Sequence, residues 1–141
     1  MTDYQKDNYT ISTDKTRLDT AAIHDYLSNE SYWAKGRSME AVLRSIDHSF
    51  CFGLYFGRAQ VGFARVITDF TTFAYLADVY ILEGHRGKGH AKWMLETIMS
   101  YPQLQGLRRF MLATKDAHKL YAMCGFKPLS KVDRWMEVFN E

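Results

Sequence analysis

The sequence predicts a single α/β domain of the α+β type, in which a mixed but mostly antiparallel sheet of about six to seven strands carries helices on both faces. Three observations support this prediction. Two amphipathic helical stretches come early, a run of three strands follows, and strands then alternate with helices. Such alternation indicates crossover connections, which place helices on a sheet's faces. No linker or repeat interrupts the chain, so residues 1–141 are assigned to one domain.

The first part of the chain has short-range signals for a strand, two helices and an antiparallel meander. Residues 8–12 have the composition of a short strand. Asp19 or Thr20 can cap a first helix, and Ser38 can cap a second helix whose apolar residues recur at helical spacing. The meander strands are predicted at 49–56, 61–68 and 72–81.

The second part begins with a glycine-rich, charged loop over residues 82–89 and an amphipathic helix after it. A strand is predicted at 108–114, followed by a short helix that ends near Gly125. Two closing strands are predicted at 126–129 and 134–139.

Composition excludes several classes of protein. A net charge of +2 is too small to indicate a nucleic-acid or membrane-surface partner. The polar start lacks the apolar region of a secretory signal, and no apolar run has the length of a membrane span. Two cysteines are too few for a disulfide framework, and no metal-ligand spacing is present. These features predict a cytoplasmic protein without a metal.

The glycine-rich loop at residues 82–89 has the features of an anion-binding site. Gly84, Gly87 and Gly89 let the backbone approach a ligand closely, and the first N–H groups of the following helix are unpaired. Arg86 and Lys88 add positive charge. A pyrophosphate is the ligand that this combination fits best. The alternative is a simple strand-to-helix turn, which the glycines alone predict about equally well.

Two nucleotide-binding motifs fail on spacing. The nucleotide P-loop requires Ser or Thr after Gly-Lys, whereas Gly89 follows Gly87 and Lys88. The dinucleotide fingerprint requires a third glycine where this chain has Lys92. The loop also follows a fourth predicted strand and not a first one.

Arg86-Gly87-Lys88-Gly89-His90-Ala91 resembles R-x-x-G-x-A, the acyl-CoA pyrophosphate loop of the GNAT superfamily of N-acetyltransferases. The residues before it, 78–82, resemble that family's splayed fourth strand, and Leu120 to Phe126 resembles its L-Y-x-x-x-G-F motif. The resemblance covers nearly the whole chain. It implies the GNAT fold, with a splay between the fourth and fifth strands, and acetyl-CoA as cosubstrate.

The resemblance also implies roles for individual residues. The backbone of Val79, Tyr80 and Ile81 would hold the pantetheine arm and the thioester carbonyl, as an added strand does. The pyrophosphate would be held by the loop residues Arg86, Gly87, Lys88, Gly89, His90 and Ala91. Thr114 stands where many members carry a cofactor-binding Asn, and it can instead cap the next helix.

Tyr121 would be the general acid for the leaving sulfur, with a core tyrosine as the alternative. Asp78 is a candidate general base or, about equally, a carboxylate that braces the sheet or pairs with an arginine. His85 and His118 are further candidates for the base. Cys124 is interpreted as a packing residue.

The acceptor side is predicted from two residues. Trp33, in the link between the first helices, would wall the acceptor site or cover the edge of the core. Arg65 would bind an acceptor carboxylate, or pair with Asp78 or Asp69. The sequence does not choose among polyamine, amino acid, aminoglycoside, peptide and lysine acceptors. A homodimer is implied by the resemblance alone.

The function that these predictions favour is direct transfer of acetyl from acetyl-CoA to a primary amine of a small molecule or peptide in a ternary complex. No activated nucleophile for a covalent enzyme intermediate is apparent. One alternative is a non-catalytic acyl-CoA sensor of the same fold. Another is a binder of nucleotide phosphates.

Overall fold

A computed structural model describes residues 3–140, and within them a single sheet contains six strands in the order in which they occur along the chain. The strands are β1 (Tyr4–Lys6), β2 (Tyr9–Ser12), β3 (Phe50–Phe56), β4 (Ala59–Thr68), β5 (Phe73–Ile81) and β6 (Arg109–Leu112). Neighbours are antiparallel except for β5 and β6, which are parallel because a helical crossover joins them. The predicted mixed, mostly antiparallel sheet is confirmed.

The described part of the chain has four α-helices, of which the first three lie between strands and the last follows β6. They are α1 (Thr20–Asp25), which continues as a π-helical turn at Tyr26–Glu30, α2 (Met39–Asp47), α3 (His90–Ser100) and α4 (His118–Met123). Both predicted caps of the early helices are confirmed. The Asp19 carboxylate accepts a 3.0 Å hydrogen bond from the amide of Ala22, and the Ser38 hydroxyl accepts one of 3.1 Å from that of Ala41. None of the described helices has the length and apolarity needed to cross a membrane.

The core has two parts, one on each face of the sheet. One part contains the apolar side of α3, with Met94 and Ile98 packed near Phe52 of β3. The other contains α1 and α2, with Ile23 and Val42 packed near Phe63 of β4. Burial of each such side chain contributes about 1.5–3 kcal/mol to stability. Helices therefore cover both faces, as predicted.

The sheet opens between β5 and β6. The two strands pair from Phe73 and Arg109 to Leu76 and Leu112, and β5 then continues to Ile81 with β4 as its paired neighbour. Asp78 lies in this unpaired stretch with a φ of +54°, where the register between β4 and β5 shifts. A bulge of this kind redirects side chains and ends pairing. The fourth and fifth strands predicted from the sequence, at 72–81 and 108–114, are β5 and β6 of the structure, and the predicted splay between them is found here.

Two predictions about strands were wrong. Residues 126–129 and 134–139 form no strand, and a 3₁₀ turn occupies Val132–Arg134 instead. Strand-forming residues make a strand only when they hydrogen-bond to a neighbouring backbone, and neither segment pairs with a strand of the sheet in the described residues. The short β1 was not predicted, although Asp7 and Asn8, both with positive φ, make the two-residue turn that joins it to β2.

Candidate active site

A cleft of about 490 Å³ opens beside the unpaired half of β5. The helix α1 to α2 link forms one wall, β4 and β5 form its floor, and the segment from β6 into α4 forms the other wall. Six of the residues singled out in the sequence line this one cleft, namely Trp33, Arg65, Asp78, Val79, Thr114 and Tyr121. Residues that are as much as 88 positions apart in sequence are thus brought together where the sheet opens.

Asp78 is the centre of a polar network on the cleft floor. Its Oδ2 accepts hydrogen bonds of 2.9 Å from Nη1 of Arg37 and from Nε of Arg65. Its Oδ1 accepts a 2.8 Å bond from the indole Nε1 of Trp33. The carboxylate is 2% exposed, so two cations and an indole have replaced the water that would otherwise solvate it.

This network decides between the partners proposed for Arg65. The guanidinium pairs with Asp78, and its Nη1 also donates a 3.1 Å hydrogen bond to the hydroxyl of Ser49. Asp69 is engaged elsewhere, because it accepts bonds from the amides of Thr71 and Thr72 in the β4–β5 turn. A hydrogen bond from the Thr72 hydroxyl, and then those from the amides, hold the pKa of Asp69 well below its usual range.

Tyr121 lies on α4 and is half-buried at the edge of the cleft. Burial, with a smaller contribution from Tyr32, raises the pKa of its phenol to about 12. Gly125, with a φ of +98°, ends α4 in the left-handed conformation predicted for it. The chain then turns back so that the ring of Phe126 packs edge-on against Tyr121 at 6.0 Å. The phenol therefore stays protonated at neutral pH, and its ring packs against Phe126.

Thr114 has one observed hydrogen-bond role. Its hydroxyl accepts a 3.0 Å bond from the amide of Ala117, immediately before α4. The capping alternative predicted for this residue is therefore present, and Thr114 also lines the cleft.

The glycine loop joins the end of β5 to the start of α3. Gly87 and Gly89 have φ values of +77° and +81°, and Gly89 is the N-cap of the helix. No side chain caps the first turn, so the amides there are available to a ligand. An N-terminal helix dipole adds positive potential at the same point. Lys88, exposed between the two glycines, adds a full charge.

Arg86 and His90 are turned toward the protein. Arg86 donates hydrogen bonds to the carbonyl of Ile81 at 2.7 Å and to the hydroxyl of Tyr26 at 3.0 Å. The ring of His90 packs on Tyr9 with centroids 3.9 Å apart, and burial lowers its pKa. Both side chains fasten the loop to its surroundings and leave its backbone toward solvent.

Two charged cleft residues, Arg37 and Lys115, were missed in the sequence. Arg37 lies four positions after Trp33 in the link between the first two helices, and a charged residue at that place was a usable signal. Tyr32 and Lys115 meet across the cleft, where the Tyr32 hydroxyl accepts a 3.1 Å hydrogen bond from the amide of Lys115. Only the tertiary structure brings this pair together. Within residues 3–140 there is no cluster of three or more potential metal ligands.

Comparisons with known proteins agree with the fold. The family model described as "Acetyltransferase (GNAT) family" matches residues 20–126. The acetyltransferase FG08082 of Gibberella zeae is similar at 37% identity, with 84% of this chain and 78% of that protein covered. A GNAT-family crystal structure from Xanthomonas campestris pv. campestris is 48% identical, covers 96% of both chains and superposes with a TM-score of 0.93.

The chain therefore belongs to the GNAT family of acetyltransferases, and it is an acyltransferase. Its fold also matches a protein from Clostridium acetobutylicum that was crystallised with acetyl-CoA, at 15% identity and a TM-score of 0.65, with 94% of this chain and 95% of that chain covered.

Proposed function

We propose that this protein transfers acetyl from acetyl-CoA directly to a primary amine of a small molecule or peptide, within a ternary complex. One observation carries the proposal. The unpaired stretch of β5 at Asp78 and Val79 and the protonated phenol of Tyr121 line a single cleft, which has a second, polar wall for an acceptor, and the glycine loop follows at the end of the same strand.

The residues present fit acetyl-CoA. In this proposal the backbone of Val79, Tyr80 and Ile81 that does not pair with β4 takes the pantetheine arm as an added strand, apart from the Ile81 carbonyl, which Arg86 already binds. The amides from Gly87 to Ala91 take the pyrophosphate. Acetyl-CoA, when bound, supplies the acyl group as a thioester. Arg86 serves by holding the loop, since its guanidinium already binds Ile81 and Tyr26. The relative crystallised with acetyl-CoA supports this choice of cosubstrate.

Tyr121 is proposed as the general acid. The acceptor nitrogen, in its neutral form, bonds to the acyl carbon while the carbon–sulfur bond breaks, and the Tyr121 hydroxyl gives its proton to the leaving sulfur. The phenolate then regains a proton from the acetylated nitrogen through solvent. Charges and protons balance, and no covalent bond to the protein forms.

Asp78 is proposed as a positioning residue and not as the general base. Its oxygens already accept three hydrogen bonds, two of them from guanidinium groups, so the carboxylate is occupied in holding its neighbours. Trp33 and Arg65 are fixed by this carboxylate, and we assign both to the acceptor wall. Of the remaining candidates, His85 is bound through Nδ1 to the hydroxyl of Tyr9, away from the cleft lining.

The decisive experiment is steady-state release of free CoA thiol in the presence of a panel of primary amines, with the acetylated product identified by mass spectrometry. We expect amine-dependent release and an acetyl group on nitrogen. The alternative, an acyl-CoA sensor of the same fold, predicts tight binding of acetyl-CoA with no turnover on any amine. Stabilisation by ATP but not by CoA would instead support the nucleotide-binding alternative.

We also propose that the enzyme is a homodimer. The segment after α4 ends in apolar residues that nothing in the described chain covers, with Met136 96%, Val138 90% and Phe139 72% exposed. It leaves the domain beside the outer edge strand, where the Trp135 ring lies 4.9 Å from the Arg109 guanidinium. Strand-forming residues next to a free strand edge favour pairing between two copies.

Light scattering tests the dimer against the chain mass of 16.4 kDa. We expect twice that mass for the native protein and a shift to the single mass for Val138→Asp. Met123→Asp, at an exposed apolar residue of α4, is the control and should leave the mass unchanged. A single mass at every concentration would contradict the homodimer. The cytoplasmic location stays a prediction from the sequence.

A further inference from the structure

The acceptor wall of the cleft carries an excess of positive charge. Arg37 and Arg65 share one carboxylate, that of Asp78, so these three groups together have a charge of +1. Lys115 and Asp116 also line the cleft and offset each other. The net charge of the acceptor wall is therefore positive, and the two guanidinium groups are its source.

Arg37 is the member of this group that remains accessible. Its side chain is 26% exposed, compared with 11% for Arg65 and 2% for Asp78. A guanidinium has five N–H donors, and the hydrogen bond from Arg37 to Asp78 uses one of them. The others are available at the cleft surface, and their planar arrangement suits a bidentate oxyanion.

The carboxylate of Asp78 holds Arg37 in place, although the backbone of Asp78 is strained. Asp78 adopts a φ of +54°, which is rare for a residue with a side chain, and it is kept there by three donors. The bulge at this position places the carboxylate between the two guanidinium groups. Without a buried anion, two arginines could not lie side by side in a poorly solvated cleft.

We infer that the acceptor amine carries a carboxylate or a similar oxyanion, and that Arg37 binds this group. The inference rests on the proposed acetyltransferase function and narrows its substrate class. The excess positive charge disfavours polyamines and aminoglycosides, because a second ammonium group would face the guanidinium groups. The same charge favours the neutral form of the attacking amine, which is the reactive form.

The test compares amines that share one carbon skeleton. Pentylamine, 5-aminopentanoate and cadaverine differ only in a methyl, carboxylate or ammoniomethyl group at the far end of the chain. Phenethylamine and phenylalanine give a pair with the carboxylate adjacent to the amine. We expect the better carboxylated amine to exceed its neutral partner in kcat/KM by about tenfold or more, as a charge-assisted hydrogen bond would give. An aminoalkyl phosphonate distinguishes carboxylate from phosphate-like selectivity.

Arg37→Gln should remove most of that ratio while leaving the KM for acetyl-CoA unchanged, and Arg37→Lys should retain part of it. Arg58→Gln makes the same change of charge in the exposed β3–β4 turn and is the matched control. A merely structural role for Arg37 would lower kcat/KM for neutral and carboxylated amines alike. The ratio between them is therefore the informative measurement.

Binding measured without turnover separates this inference from the proposed function. Calorimetry in the presence of CoA should give tighter binding of N-acetyl-5-aminopentanoate than of N-acetylpentylamine, and Arg37→Gln should abolish the difference. That result with no catalysis would sustain the anion site and overturn the transferase. Catalysis with neutral amines or diamines equal to or faster than carboxylated ones would overturn the anion site and sustain the transferase.

Discussion

The indole of Trp33 donates a 2.8 Å hydrogen bond to Oδ1 of Asp78, and this contact connects the link between the first two helices to the bulge in β5. The opposite oxygen of the same carboxylate accepts from both cleft arginines. One buried anion therefore sets the position of every side chain that we assign to the acceptor wall.

Asp78→Asn should lower the free energy of unfolding by about 3 kcal/mol, because it removes the charge that two partly buried guanidinium groups share. Urea unfolding monitored by circular dichroism measures the change. Asp116→Asn, at an exposed cleft residue, is the control and should change it little. Loss of turnover with unaltered unfolding would instead favour Asp78 as the general base.

Tyr121→Phe should reduce kcat by about 10²-fold or more, the usual contribution of a positioned general acid, and leave the dissociation constant of CoA unchanged. Stopped assays of thiol release and calorimetry measure the two quantities. Tyr75→Phe removes a hydroxyl from another residue of the same cleft and should retain most of the activity. Equal turnover by Tyr121→Phe and the native enzyme would exclude the acid role.

The pH dependence of kcat follows from the state of the Tyr121 phenol. A general acid works while it is protonated, so its loss of a proton on raising the pH produces the descending limb of the profile. Because burial raises the pKa of Tyr121 to about 12, that limb lies above the region near 10 where an ordinary tyrosine titrates. We expect kcat to show no decline up to about pH 10. A decline centred near neutrality would assign the acid to another group.

Gly89→Ala should destabilise the protein by about 1 kcal/mol, because a φ of +81° places a Cβ in the left-handed region. It should also weaken CoA binding, since this residue begins α3 and sets the direction of the loop amides. Gly84→Ala is the matched control, with an ordinary φ and open space around the added carbon. Thermal unfolding and calorimetry with CoA compare the variants, and equal effects would show that the glycine conformation is not what matters.

The parts of the fold that depend on nearby residues were predictable. Caps at Asp19 and Ser38 and the turn at Gly125 are decided within a few positions, and each was predicted from the residue type. The irregular conformation of residues 134–139 was not predictable. Their composition is that of a strand, but a strand also needs a partner, which sequence patterns do not reveal. The sequence pattern shows that a segment can form a strand, and only the tertiary structure shows whether a strand edge is there to pair with it.

The candidate site likewise has parts that nearby residues predict and parts that depend on distant contacts. The glycine loop and Tyr121 belong to contiguous motifs, so the sequence located them together with their elements. The ion pair of Arg37 and Asp78 spans 41 positions, and neither residue alone indicates it. Arg86 illustrates a further limit, since its place in the motif gave no sign that its guanidinium would bind Tyr26, 60 positions earlier.

Because β6 pairs with β5 only as far as Leu76, residues 77–81 have no partner strand on that side of the sheet. If the pantetheine arm completes it, the cosubstrate acts as a structural neighbour as well as an acyl donor. The amides on that side would then exchange their hydrogens with solvent slowly only while the coenzyme is bound. Cellular supply of the coenzyme would in this way govern how long the enzyme survives proteolysis as well as how fast it works.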